Sequence, residues 1–329
     1  MVKTILITGA SGFIGANLAK ELLAKGYVIS TILRKNASHP FLNNLPIERN
    51  EGDLFSHALL DSAIAQCDTV IHCAALISFD EKDKREIYHV NVTGTENICK
   101  YALKHKKKVI FVSTASTMGT PTRNPTLLDE RQPFVFKNIS SYSHSKYLAE
   151  QCVLHYAKKG LDTVIVNPST VYGAGDLKGT GPSLYRLFSQ NPVFFAPPGG
   201  SSVIAVQDVV SGVIAALYNG KKGERYILTG ENIRYKELFS HVLKICKSRE
   251  PSLVTIPSIA EGLGCFVLQK IPMKSKTITP TVLHYLFQFR YLDNQKAQKE
   301  LHWTPTIPIK QALKEGYVFY KEHERYYGQ

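Results

Sequence analysis

No apolar run in this chain approaches the roughly 18 residues that a membrane-spanning helix needs. The longest candidate lies within Ile256–Met273, where Glu261 and Lys270 interrupt it, so it suits at most contact with a membrane surface. Cysteine is sparse and scattered: Cys67, Cys73, Cys99, Cys152, Cys246 and Cys265 form no CxxC pair and have no His-rich partner segment. That excludes the usual zinc-ribbon spacing and a disulfide scaffold, and no metal is expected; a reducing, cytoplasmic setting fits best. Acidic charge is also short, with 27 Asp and Glu against 40 Lys and Arg, a net of +13. The cations are spread out, however, and the longest pure run is only Lys106-Lys107-Lys108. A solvated basic face, not a nucleic-acid stripe, is the expected reading, and such a face also attracts a polyanionic small molecule. The first strand pattern starts at Lys3 with a glycine loop directly behind it, so no signal peptide is expected.

What remains is an ordinary globular composition, 44% hydrophobic and 20% charged, which excludes a disordered chain. Buried-strand runs occur at Lys3–Thr8, Tyr27–Leu33, Thr69–Cys73, Lys108–Thr114 and Asp162–Asn167, with a weaker one at Ile47–Glu51. Helical patterns lie between them: Ile14, Leu18 and Leu22 before Gly26, then Leu59–Ala65 and Ile98–Leu103. This alternation predicts an α/β fold, a doubly wound parallel sheet of the Rossmann kind with a smaller C-terminal substrate lobe. Beyond Gly173 the pattern loosens, and the Pro-rich stretch Pro192–Gly200 cannot be regular throughout. Residues 1–173, joined by 201–229, are therefore assigned to the dinucleotide core, and 174–200 with 230–329 to the lobe.

Thr8-Gly9-Ala10-Ser11-Gly12-Phe13-Ile14-Gly15 sits between the first strand and the first helix. Gly9 permits a tight turn, Gly12 lets backbone approach a pyrophosphate, and Gly15 lets helix and strand pack closely. The helix N-terminus then faces phosphate charge, with Phe13 and Ile14 in its first turn. The second strand ends in Arg34-Lys35 with no acid nearby. An acid there would accept from a ribose 2′-hydroxyl; two cations suit a 2′-phosphate, so NADP is expected ahead of NAD.

Tyr142-Ser143-His144-Ser145-Lys146 opens a helical pattern in which the i, i+4 spacing puts Tyr142 and Lys146 on one face. A phenol is a poor acid–base catalyst at neutral pH, and a neighbouring ammonium is expected to lower its pKa. Thr114, at the end of an upstream strand, would share the substrate oxygen with the tyrosine.

Taken together, these motifs resemble the extended short-chain dehydrogenase/reductase superfamily over residues 1 to about 315. The glycine loop, Gly52-Asp53-Leu54, His72-Cys73-Ala74-Ala75, Asn91-Val92-Thr93-Gly94-Thr95, Thr114, Tyr142 with Lys146, and Asn167 through Gly173 follow the superfamily's order. Val206-Gln207-Asp208-Val209 and Leu292 through Trp303 resemble its C-terminal half. The resemblance implies that Asp53 and Leu54 contact the adenine, that Ala74 and Ala75 line the cofactor channel, and that Pro168 and Val171 pack by the nicotinamide. It also implies a homodimer through the helices near 95–105 and 142–158. Nucleotide-sugar dehydratases carry an Asp-Glu pair after the threonine, where this chain has Ala115 and Ser116. The nearest branch resembles the dihydroflavonol reductases and 3β-hydroxysteroid dehydrogenases, with the NAD-dependent epimerases beside it. Met118, Phe194 and Phe195 point to an apolar or aromatic substrate, and His144 and Arg186 are further substrate candidates. A sugar epimerase would use the same catalytic residues. A non-catalytic dinucleotide sensor would tend to lose the Tyr–Lys pair, which this chain keeps.

Overall fold

The computed structural model describes residues 3–78, 80–135, 140–190, 194–247, 253–255 and 286–326. The chain begins with β1 (Thr4–Thr8), α1 (Phe13–Ala24), β2 (Val28–Leu33) and β3 (Glu48–Glu51). It continues through α2 (His57–Gln66), β4 (Thr69–His72), α3 (Lys84–Tyr88), a π-helical turn at His89–Thr93, α4 (Gly94–Lys104) and β5 (Lys108–Val112). After a short strand β6 (Leu127–Leu128) come α5 (Ser141–Lys158), β7 (Thr163–Pro168) and β8 (Thr170–Tyr172). Then follow α6 (Thr180–Gln190), β9 (Phe194–Ala196), β10 (Gly200–Ala205), α7 (Val206–Asn219), β11 (Arg225–Leu228), β12 (Glu231–Arg234) and α8 (Tyr235–Cys246). The remaining elements are β13 (Leu253–Thr255), β14 (Phe289–Leu292), α9 (Gln295–Leu301) and α10 (Ile309–Glu322).

Seven strands form a parallel sheet in the order β11-β7-β5-β4-β1-β2-β3. Both faces are covered, which is why its strands read as continuous apolar runs: Ile5, Leu6 and Ile7 are all buried, as are Val109, Ile110 and Phe111. Helices α1, α7 and α9 pack on one side and α2, α4 and α5 on the other. The strand order reverses between β1 and β4, so the loops leaving those strands diverge and open a crevice at their carboxyl ends.

A second sheet runs β12-β10-β14-β6, with β8 also paired to β10. Helices α6, α8 and α10 close over Tyr172, Tyr185, Phe188, Leu238, Val242 and Leu313. β9 and β13 make a separate two-stranded pair. The structure departs from the sequence reading at two joints. The run expected through Thr114 ends as a strand at Val112, because the Thr114 side chain accepts from the Ser116 N–H (3.3 Å) and caps a 3-10 turn. β8 and β10 lie in spans the sequence assigns to the core, yet they pair in the second sheet. Pro168 ends β7, and having no N–H of its own it cannot extend the ladder.

Among the described residues no helix is long and apolar enough to cross a membrane. The candidate interfacial stretch 256–273 lies outside the described residues.

Candidate active site

The crevice is framed by the carboxyl ends of β1, β4, β5 and β7. At β1, Gly9 has φ +72°, and a Cβ there would meet the Ala74 backbone nitrogen at 2.5 Å. Only glycine lets the first loop and the loop after β4 lie this close. Gly12 closes the turn by donating to the Gly9 carbonyl (2.9 Å) and is exposed. A Cβ on Gly15 would collide with the Gly9 carbonyl group. Helix α1 starts without a side-chain cap and without an acid in its first turn, so its free N–H groups and positive dipole end remain open to an anion. A dinucleotide pyrophosphate fits that cradle.

Arg34 and Lys35 follow β2 directly and are exposed at the rim. Asp53 is also exposed, but Oδ1 of its carboxylate accepts from the Phe55 N–H (2.9 Å) and the Ser56 hydroxyl (3.0 Å). Leu54 is buried, and its carbonyl accepts from Asn97. Ala74 and Ala75 are half-buried in the loop after β4, Pro168 is buried at the end of β7, and Val171 packs on the core from β8.

A chain of hydrogen bonds runs beneath this surface. Thr8 Oγ1 and His72 Nδ1 are 2.6 Å apart, and His72 Nε2 lies 3.0 Å from Thr95 Oγ1. Thr95 donates to the Asn91 carbonyl (2.6 Å), so its oxygen must accept from His72. His72 therefore carries its proton on Nε2 and accepts from Thr8. Asn91, in the π-helical turn, clamps both backbone groups of Leu76 and donates to Ser145 (2.9 Å), which donates to the Tyr142 carbonyl (2.7 Å). Strand β1 and helix α5 are thus joined through His72 and Asn91, with Thr95 between them.

His72 is 0% exposed, and burial, followed by the Lys146 charge, pushes its pKa down to about 3. Because the folded value lies below the ordinary 6.5, the unfolded chain binds the extra proton between pH 6.5 and 3, and stability is lost as pH falls through that window. This one group is expected to remove about 2 kcal/mol between pH 7.5 and 5. Denaturant unfolding at both pH values should show a loss smaller by that amount in His72→Gln. Equal losses in the two proteins would refute the assignment.

Of the three proposed catalytic residues, Lys146 reaches the carboxyl end of β5 and Thr114 follows that end closely. Lys146 is 2% exposed; its ammonium donates to the Val112 carbonyl (2.9 Å) and lies 4.1 Å from the centre of the Phe111 ring. Burial holds its pKa down to about 8, against the opposing charge of Glu150. Tyr142 is one turn earlier on α5, and Thr114 is two residues past Val112. The expected lowering of the Tyr142 phenol does not occur: burial pushes it up to about 12. Desolvation alone accounts for the direction, while the Lys146 ammonium is turned to the Val112 carbonyl and the Phe111 ring. The buried hydroxyls of Ser113 and Ser116, on either side of Thr114, have no hydrogen-bond partner among the described residues.

The substrate candidates have varied surroundings. Met118 is 0% exposed and packs with Ala115, Leu128, Ile227 and Leu292, so it is core and not pocket wall. His144 turns to Tyr88, whose hydroxyl lies 2.6 Å from its Nδ1, and stacks near Phe134. Arg186 is exposed on α6. Phe194 and Phe195 place their backbone in β9. Sequence reasoning missed Arg290, which donates to the Ala115 carbonyl (3.2 Å) and braces the turn after Thr114; nothing in its local pattern marks it. It also missed Glu150, although a carboxylate four residues beyond Lys146 on a face shared with Ala149 and Val153 is a readable signal.

Residues 5–228 match the model of the NAD dependent epimerase/dehydratase family. A putative dihydroflavonol 4-reductase of Synechocystis sp. is 34% identical, over 98% of this chain and 96% of the relative. The 4-hydroxy-2-methyl-3-oxo-4-farnesyl-3,4-dihydroquinoline-1-oxide ketoreductase of Stigmatella aurantiaca is 30% identical, over 93% of each. The crystal structure of gox2253 superposes with a TM-score of 0.85 at 30% identity, over 98% of this chain and 99% of that one. With the glycine cradle, the switch-point crevice and this match over most of its length, the chain belongs to the NAD-dependent epimerase/dehydratase family, the extended short-chain dehydrogenase/reductases, and is an NAD(P)-dependent enzyme.

Proposed function

We propose that this enzyme uses NADPH to reduce a ketone or aldehyde borne on an apolar or aromatic body, with residues 174–200 and 230–329 supplying the substrate lobe. The observation that carries this reading is the crevice itself, where the glycine cradle at β1 stands across β4 from the buried Lys146 ammonium at the end of β5. When bound, the dinucleotide supplies hydride to the carbonyl carbon. Tyr142 donates its proton to the carbonyl oxygen and regains one from solvent. Thr114 Oγ1 accepts from Ser116, which leaves its single O–H free to donate to the same oxygen. Lys146 holds positive charge beneath them and orients the ribose. The glycine cradle takes the pyrophosphate, Asp53 and Leu54 border the adenine, Ala74 and Ala75 line the channel, and Pro168 and Val171 flank the nicotinamide.

The substrate class draws on the relatives named for dihydroflavonol and quinoline ketone reduction, and on Ala115 and Ser116, which offer no carboxyl group for elimination. A panel of aromatic and polycyclic ketones and aldehydes is expected to oxidise NADPH. Nucleotide sugars are expected to yield neither an epimer nor a dehydrated product. An epimerised nucleotide sugar with every apolar carbonyl inert, and dinucleotide retained through purification, would replace this reading.

A further inference from the structure

We propose that Glu150 is a positioning residue for the reaction: its buried carboxylate fixes the Thr114 end of β5 and supplies the countercharge to Lys146. This rests on the catalytic reading above. Glu150 is 0% exposed, one helical turn beyond Lys146 and two beyond Tyr142. Oε1 accepts from Thr117 Oγ1 (2.7 Å) and Asn167 Nδ2 (2.5 Å), and Oε2 lies 3.4 Å from Arg225 Nη1. The same two donors also reach the Thr114 carbonyl, at 2.8 Å from Thr117 and 3.1 Å from Asn167. Thr117 has one proton to give and Asn167 has two. These protons are shared among the Glu150 carboxylate, the Thr114 carbonyl and, for Asn167, Thr117 Oγ1 (3.1 Å), so a shift in one acceptor is felt by the others.

Burying a carboxylate is costly, and removing one member of a buried charged set leaves the others uncompensated. Here the set spans four elements: Glu150 on α5, Thr117 in the turn after β5, Asn167 on β7 and Arg225 on β11. Arg225 is held in place by the Glu130 carbonyl, while the Glu130 carboxylate accepts from the Ile227 N–H. The titratable groups around Lys146 are His72 and Cys73 at the end of β4 and Tyr142 and Glu150 on its own helix. Burial pushes the Cys73 thiol up to about 12 and the His72 imidazole down to about 3, so both are neutral near pH 7. Glu150 is then the negative charge acting on Lys146 among these groups. It opposes the desolvation that holds Lys146 down to about 8.

The test is to titrate Lys146 directly. Protein labelled with carbon-13 at lysine Cε, with Lys146 assigned by Lys146→Arg, is followed by NMR against pH in the unmodified chain and in Glu150→Gln. The Lys146 midpoint is expected to fall by about 1 unit or more in Glu150→Gln, and the high-pH limb of kcat to move down with it. Below that limb kcat is expected to drop about tenfold or more with KM held, as for a displaced oxygen donor. Glu150→Asp, which keeps the charge, is expected to keep the Lys146 midpoint. A folded Glu150→Gln with an unmoved midpoint overturns the proposal. Should Glu150→Gln fail to fold, Thr117→Val carries the test: a fall in kcat at constant KM supports the proposal, and an unchanged kcat overturns it. The NMR titration needs no substrate, so an inert carbonyl panel would count against the reductase reading and leave this result standing.

Discussion

Tyr142→Phe is expected to lower turnover by roughly 10²–10⁴ with little change in dinucleotide affinity. The phenyl ring keeps the packing of the phenol and loses only the proton. Steady-state kcat on the best carbonyl of the panel, with NADPH affinity from fluorescence titration, measures both quantities. The two should separate, because the cradle proposed for the pyrophosphate lies at β1, on the far side of β4 from β5. Thr114→Ala is expected to be milder, since Tyr142 still protonates the oxygen, and Thr114→Ser to keep most activity because the hydroxyl remains. Near-normal turnover in Tyr142→Phe would mean that the proton comes from elsewhere.

NADPH is expected to bind at least about tenfold more tightly than NADH, since a hydrogen bond to a charged group contributes about 1.5–3 kcal/mol. Arg34 and Lys35 stand exposed just past β2, so their attraction for a 2′-phosphate is screened, and the gap should shrink as salt rises. Arg34→Asp is expected to reverse the order, because a carboxylate repels the 2′-phosphate and accepts from a free 2′-hydroxyl. Calorimetry of both cofactors on both proteins decides the matter. Equal affinities in the unmodified chain would leave the two cations facing only solvent.

The parallel sheet was legible because each of its long strands is buried on both faces and leaves an uninterrupted apolar run, as at Ile5-Leu6-Ile7. β11 was harder to see, since Arg225-Tyr226-Ile227-Leu228 is short and opens with a cation that turns out to hold Glu150. The glycine loop was legible because backbone geometry restricts residue choice there. The state of Tyr142 was not, because spacing along a helix shows which charges are near and not how much water has been removed. The same blindness misassigned Met118: a methionine beside a catalytic strand looks like pocket lining until Leu128, Ile227 and Leu292, all distant in sequence, close over it. The braces on the turn after Thr114, Arg290 and Glu150, come from a late strand and a later turn of the catalytic helix, and only the fold brings them to one place.

One residue, Ser169, separates β7 from β8, and with it the chain passes from the first sheet to the second. Its N–H donates to the Leu228 carbonyl (3.0 Å), and its hydroxyl oxygen accepts from Thr229 (3.0 Å), so even this single link is tied to the end of β11. β8 then locks onto β10, from which the chain returns directly into α7 against the first sheet. A joint this short, bonded through both its N–H and its hydroxyl, ties the two sheets closely at this point. Substrate entry is therefore expected to depend on local movement of the loops at the rim more than on a swing of one sheet against the other.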